Sequence, residues 1–248
     1  MEITETAFSF KHFVVHHDKC AMKVGTDGVL LGAWSCVKGA VEILDVGTGT
    51  GVLALMMAQR CEALIDAVDI NESAYLQARD NFLLSTWSKR LRVYHVSLQD
   101  FVVGNEGEYD LIISNPPFFI DAMKGGSDAR NIARHINETL TFEELAEGVL
   151  SLLKPDGRFC VILPVKEGNL FIEICERAGL YYNKITRVRT KADKHEKRLL
   201  LEMSKKRKAI VSDELVIHNE DGSYSKEFVE LTKDFYTHFP VRSVKLEN

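Results

Sequence analysis

Short apolar runs alternate with amphipathic stretches along most of this chain. Val41-Glu42-Ile43-Leu44-Asp45-Val46, Leu64 to Asp69, Leu91 to Val96 and Tyr109 to Ile113 each read as a buried strand. Between them, Val52 to Gln59 and Asn71 to Leu84 place apolar residues at helical spacing. Thr141 with Glu144 predicts a capping box opening a helix to about Leu153. A turn at Lys154-Pro155-Asp156-Gly157, a strand from Arg158 to Leu163 and an amphipathic helix from Glu167 to Ala178 follow. A strand then restarts at Leu180 and ends near Arg189. Leu199 to Met203 follows after a short loop, so it is expected to run antiparallel to its predecessor. This order predicts an α/β fold, doubly wound around a mostly parallel seven-stranded sheet with an antiparallel last strand. Residues 1–40 form an N-terminal extension. They hold two short extended pieces around Phe8 and Phe13, and a helix carrying Val29, Leu30, Ala33 and Trp34 that Thr26 or Asp27 would cap. Residues 41–204 form the core. Residues 205–248 add a small strand (Leu215 to His218), a turn at Asp221-Gly222 and a helix from about Lys226 to His238. No repeat or linker divides the chain, which is expected to form one domain.

Two of the strand ends carry candidate chemistry. The first strand runs into Gly47-Thr48-Gly49-Thr50-Gly51, and the second ends on Asp69, about 20 residues on. Glycines there allow a tight turn and close approach of a ligand, and an acid at that spacing can hold two ribose hydroxyls. This β-α-β unit points to an adenosine-type cofactor on a Rossmann-like core. The spacing is not that of a dinucleotide fingerprint, and no Gly-Lys-Ser/Thr follows as in a P-loop. The fourth strand stops at Ser114-Asn115-Pro116-Pro117-Phe118. A double proline cannot continue a central strand, and Pro116 holds Asn115 extended. Asn115 is thus expected at the carboxyl edge of the sheet, beside the first strand, where open α/β folds bind ligands.

Composition narrows the class. Hydrophobic residues make up 46% and charged residues 27% of the 248, as in ordinary globular proteins. No apolar run spans a bilayer and no secretory leader is seen, so a cytoplasmic, membrane-free protein is expected. The five cysteines are scattered without a Cys-x-x-Cys pair, which favours neither a metal site nor a disulfide framework. Net charge is −5, but it is unevenly spread. Eleven Lys and Arg from Lys184 to Lys208 face only Asp193, Glu196 and Glu202, giving that segment +8 and the remainder −13. Such asymmetry marks either a polyanion site or a solvated edge.

Asp45-Val46-Gly47-Thr48-Gly49-Thr50-Gly51 resembles motif I of S-adenosylmethionine-dependent methyltransferases. Asn-Pro-Pro-Phe is similar to the signature of those acting on planar amines. Lys23 to Trp34 and Arg130-x-x-x-Arg134-His135 extend the resemblance to bacterial tRNA adenine-N6 methyltransferases, which modify the adenosine next to the anticodon of a valine tRNA. The resemblance covers nearly the whole chain and implies a single methyltransferase domain. It places S-adenosylmethionine near Lys23, Thr26, Asp27, Asp45, Gly47, Thr48, Gly49, Gly51, Asp69 and Ile70, with Ser97 or Asp100 at its adenine. Asn115, Pro116, Pro117 and Phe118 are implied around the target base. An Asp directly after the third strand is usual in relatives; Ser97 stands there instead. Phe118 replaces a common Tyr. Arg130, Arg134, Arg187, Arg189, Lys191, Lys194 and Lys197 are the candidates for tRNA contact, and no metal is expected. The rival readings are a guanine-N2 methyltransferase of ribosomal RNA, a protein-glutamine N5-methyltransferase and, last, a non-enzymatic RNA-binding module.

Overall fold

The computed structural model describes residues 6–20, 23–116 and 140–239. An N-terminal hairpin of β1 (Ala7–Ser9) and β2 (Val14–His16) precedes helix α1 (Thr26–Trp34). The core then alternates β3 (Glu42–Val46), α2 (Val52–Arg60), β4 (Leu64–Asp69), α3 (Glu72–Leu84), β5 (Leu91–His95), α4 (Leu98–Val102) and β6 (Tyr109–Ser114). After residue 140 come α5 (Phe142–Leu152), β7 (Leu153–Pro164), α6 (Val165–Ala178), β8 (Tyr181–Arg189), β9 (Glu196–Ser204), β10 (Val211–Val216) and α7 (Lys226–Thr232).

The main sheet has eight strands, in the order β10-β8-β9-β7-β6-β3-β4-β5. That is one more than expected, because β10 extends the sheet in parallel with β8. Only β9 runs antiparallel, to both β7 and β8. The chain winds from β3 out to β5, then returns to place β6 on the other side of β3, which makes the β3–β6 boundary the switch point. The expected turn at Lys154–Gly157 lies within β7, at a register shift against Tyr109 and Leu111.

Period-two alternation sorts the strand residues onto two faces. Ile43, Leu111, Ile113, Cys160, Ile162 and Leu200 pack with the hairpin, α1, α2 and α7. Leu44, Ile112, Phe159, Val161, Leu163 and Leu201 pack with α4, α5 and α6. Burial on both sides explains why the strands read as nearly unbroken apolar runs.

Several boundaries differ from the sequence expectation. Neither Thr26 nor Asp27 caps α1; Gly25 holds that place in an extended conformation, and no side chain caps it. Residues 28–33 of α1 are all buried, so this helix is built into the core. Its apolar residues lie all round, which leaves no clear helical stripe in the sequence. Trp34 anchors the far end, donating from Nε1 to Thr186 Oγ1 at 2.8 Å. Helix α7 ends at Thr232, short of the expected His238, because the chain then turns to bring Tyr236 against Phe10.

Helices α1 and α2 meet at Gly32. A Cβ there would lie 2.5 Å from Met56 Sδ and 2.8 Å from its Cε, and Met56 is fully buried. Gly32→Ala would favour helix formation alone, but overpacking of an enclosed contact costs about 1–3 kcal/mol. Urea unfolding should therefore show a net loss of stability. A variant as stable as the parent would mean that the two helices separate freely.

Candidate active site

The glycine turn is fixed from behind by one carboxylate. Asp45, at no measurable exposure, accepts from Thr48 Oγ1 at 2.6 Å and from the Ala54 N–H at 3.2 Å, both through Oδ2. Its Oδ1 has no hydrogen-bond partner among the described residues. Burial pushes this carboxyl up to about 7, against the two hydrogen bonds that pull it down. The Gly47 and Thr48 N–H groups both donate to Val68 O, tying the turn to the end of β4. Gly51 has φ +82°, and a Cβ there would meet Phe82 Cε1 at 2.6 Å, so this position admits only glycine. Added Cβ atoms at Gly47 or Gly49 would meet nothing within 4 Å among the described residues, which leaves the turn's outer surface open on that side to a ligand.

Asp69 stands at the end of β4. Its Oδ2 accepts from the Gly49 N–H and its Oδ1 from the Asn71 N–H, each at 2.9 Å. Each carboxylate oxygen keeps acceptor capacity beyond these bonds. Burial raises this carboxyl above its usual range, opposed by those two bonds and by His95. Ile70 follows as a half-exposed apolar shelf. Across the neighbouring strand end, Ser97 caps α4. Its hydroxyl donates to Asp100 Oδ2 at 2.7 Å while accepting from the Asp100 N–H at 3.1 Å. Ser97 and Asp100 are thus one hydrogen-bonded unit. Asp100 also lines a groove of about 460 Å³ with Tyr75, His95 and Phe101. An open glycine turn, an acid with spare acceptors, an apolar shelf and a polar pair in sequence fit an adenosine-containing cofactor.

A strap missed in the sequence closes one side of this region. Asn81, buried on α3, accepts from the His16 N–H and donates to both His16 O and Thr50 O. Gln77, also buried, accepts from the Lys19 N–H at 2.7 Å. Two amides at helical spacing were the available signal. They bring Cys20 near Asp69, and burial together with that carboxylate and Asp18 pushes the thiol up to about 11.

Ser114 ends β6 in register with Val46, and its hydroxyl donates to Val46 O at 2.8 Å. Asn115 therefore emerges beside the start of the glycine turn; it is half-buried, and Pro116 is buried. Asn115 Nδ2 lies 3.9 Å from where a Cβ on Gly28 would stand, so the first turn of α1 borders it. Asp27, in that turn, pairs with Arg198 Nε at 2.8 Å. Arg198 sits near the start of β9, which runs antiparallel and so begins at the carboxyl edge of its neighbours. Lys23 is exposed, just before α1. Pro117, Phe118, Arg130, Arg134 and His135 lie outside the described residues.

The basic segment is divided. Arg187 and Arg189 both reach Glu196, and Arg189 also reaches Glu214, so their charge is largely spent within the sheet. Lys191 Nζ donates to Glu220 O at 3.0 Å, and the Lys194 ammonium pairs with its exposed neighbour Asp193 at 3.2 Å. These residues and Lys197 lie around the β8–β9 turn, at the carboxyl edge. Lys205 to Lys208 follow β9 and lie at the opposite edge. Among the described residues there is no group of three or more His, Cys, Asp or Glu placed to hold a metal, and no helix is long and apolar enough to cross a membrane.

Residues 29–163 match the family model described as Methyltransferase small domain. A Flavobacterium psychrophilum protein named tRNA1(Val) (adenine(37)-N6)-methyltransferase is 48% identical over 92% of this chain and 98% of its own length. A protein of the same name from Pectobacterium carotovorum is 43% identical over 95% of this chain and 96% of its own. The chain belongs to this methyltransferase family. Solved structures agree on the fold. A predicted O-methyltransferase of Agrobacterium tumefaciens aligns at TM-score 0.65 with 18% identity, covering 84% of this chain and 96% of that one. TYW2 of Pyrococcus horikoshii, in complex with MeSAdo, aligns at TM-score 0.55 with 15% identity over 82% and 73% of the two chains.

The Asp45 carboxyl gives this methyltransferase a pH signature. An Asp in the unfolded chain releases its proton near pH 4, whereas burial holds it to about pH 7 in the fold. Between these values the folded state binds the extra proton, so stability falls as pH rises through the window. Asp45→Asn removes this dependence. Urea unfolding from pH 4 to 8 should show the variant improving relative to the parent up to about pH 7, then holding level. A pH-independent difference would mean that the carboxylate is ionised inside the fold.

Proposed function

We propose that this protein transfers the methyl group of S-adenosylmethionine to the N6 amine of the adenosine next to the anticodon in a valine tRNA, in the cytoplasm. The observation that carries the reading is the position of Asn115, bordered by the glycine turn and by the first turn of α1, in a chain 43–48% identical to proteins named for that reaction.

The cofactor supplies, when bound, a methyl group on a sulfonium centre. Gly47 to Gly51 offer it an open turn, Asp69 acceptors for ribose hydroxyls, Ile70 an apolar face, and the Ser97–Asp100 pair a polar edge. Lys23, Thr26 and Asp27 border it from the α1 side. Asp45 acts through the turn, because it is enclosed behind it.

The target nitrogen is planar, and its lone pair is spread into the adenine ring. The Asn115 side-chain oxygen and the Pro116 carbonyl can each accept one of its two N–H groups. Two fixed acceptors favour the pyramidal nitrogen whose lone pair is free to attack, which is preorganisation rather than acid–base chemistry. One proton leaves that nitrogen once it carries the methyl group. Phe118 is assigned to stack on the base. Lys191, Lys194 and Lys197 are assigned to backbone phosphates near the reacting loop, with a smaller part for Arg187 and Arg189, whose charge is already paired.

Asn115→Ala should lower single-turnover methyl transfer about 10²–10³-fold, the usual cost of one preorganised contact in a transition state. S-adenosylmethionine affinity by calorimetry should stay unchanged. An unaltered rate would reduce Asn-Pro-Pro to a strand stop. Asp69→Ala should weaken cofactor affinity at least tenfold, since it removes the acceptors and releases the Gly49 N–H. Labelled cofactor offered with tRNA, ribosomal RNA and release factor should mark tRNA alone; label in either of the others would transfer the reading to the corresponding rival.

A further inference from the structure

The turn after β9 carries four consecutive cations, Lys205-Lys206-Arg207-Lys208, at the sheet edge opposite the candidate active site. We infer that this turn is a second RNA-binding surface, which takes backbone phosphates of the tRNA outside the reacting loop. The inference rests on the tRNA reading above.

Three observations separate the turn from an ordinary solvated lysine run. Its backbone is built, not loose. Asn183, 5% exposed, donates from Nδ2 to Ser204 Oγ at 2.7 Å and to Lys206 O at 3.2 Å, and its Oδ1 accepts from the Lys208 N–H at 2.9 Å. Ser204 Oγ adds a bond to Lys206 O at 2.9 Å. A buried amide with donor and acceptor both committed fixes the backbone from which the four cations project. Second, the charge is poorly neutralised from within. Lys206 pairs with exposed Asp156 at 2.6 Å, but Lys205, Arg207 and Lys208 form no ion pair among the described residues. Lys205 is lowered by desolvation alone, so part of its hydration is already lost before any anion arrives. Third, the Arg207 guanidinium lies over the Tyr181 ring, 4.2 Å from its centre, a cation–π contact that spends none of its N–H donors on an acid and leaves them for phosphate.

Geometry defines what such a surface can bind. Strand β9 is 9 residues long, so its two ends are roughly 27 Å apart at about 3.3 Å per residue. One RNA that reaches both ends must therefore extend beyond the nucleotides of its reacting loop. Phosphate contacts of this kind carry affinity without sequence information.

The test compares whole valine tRNA with its isolated anticodon stem-loop, using the parent protein and the triple variant Lys205→Glu, Arg207→Glu, Lys208→Glu. Lys206 is left in place to keep its pair with Asp156. Affinity for whole tRNA should fall at least tenfold in the variant, with a shallower dependence on salt, because fewer counterions are released. Stem-loop affinity, stem-loop methylation rate and S-adenosylmethionine affinity should stay unchanged. A parent protein that binds the stem-loop as tightly as whole tRNA would overturn the inference, as would a variant that keeps full tRNA affinity or weakens both RNAs alike. Failure of the parent protein to methylate either RNA would count against the tRNA reading itself.

Discussion

A carboxyl group enclosed within the fold is the constraint on which the candidate site depends. Burying Asp45 is unfavourable for its charged form, and among the described residues only one of its two oxygens finds partners. Those partners are the hydroxyl of Thr48, inside the glycine turn, and the N–H of Ala54, in the helix that follows it. The turn between them has little freedom left. Its N–H groups at Gly47 and Thr48 are held by β4, and that of Gly49 by Asp69. The position of Asp69 relative to the turn follows from these bonds to the end of β4. What the fold expends on an awkward buried acid it recovers as a rigid concave surface.

The β3–β6 part of this arrangement was legible in the sequence. Period-two runs, glycines at fixed offsets and a double proline are local signals, and each reports a backbone state that few other residues would produce. Asn115 could be placed at the carboxyl edge because Pro116 restricts its neighbour and Ser114 closes a strand of known length. Helix α1 was harder. Its residues are apolar all round, since sheet, α2 and α7 enclose it, so the period carried no direction and the capping expectation fell on the wrong residues. Gly25 takes the cap position while Asp27 pairs instead with Arg198.

The charge run shows a different limit. Its composition was evident, but its meaning depended on which way β9 runs. An antiparallel strand carries its two ends to opposite edges of the sheet, so what reads as one cluster becomes two. The ion pairs of Arg187 and Arg189 with Glu196 and Glu214 were likewise invisible, because strand register, not sequence distance, brings those groups together. Arg198 was counted among the cations, yet nothing local marks it as the partner of a residue in the first turn of α1.

That pairing also sets an order of assembly on the ribosome. Asp27 and Arg198 are 171 residues apart, and Trp34 and Thr186 are 152 apart. At about 5–20 residues synthesised per second, the start of α1 waits on the order of 10–30 s for the strand that anchors it. The glycine turn and its acid are complete well before that. A nascent or truncated chain ending before β9 thus carries the turn and Thr186, the partner of Trp34, but lacks Arg198, so the first turn of the helix bordering Asn115 has no ion-pair partner for Asp27. That pair can form only once β9 lies between β7 and β8, so the border of Asn115 on the α1 side is completed late, by a strand near the end of the sheet.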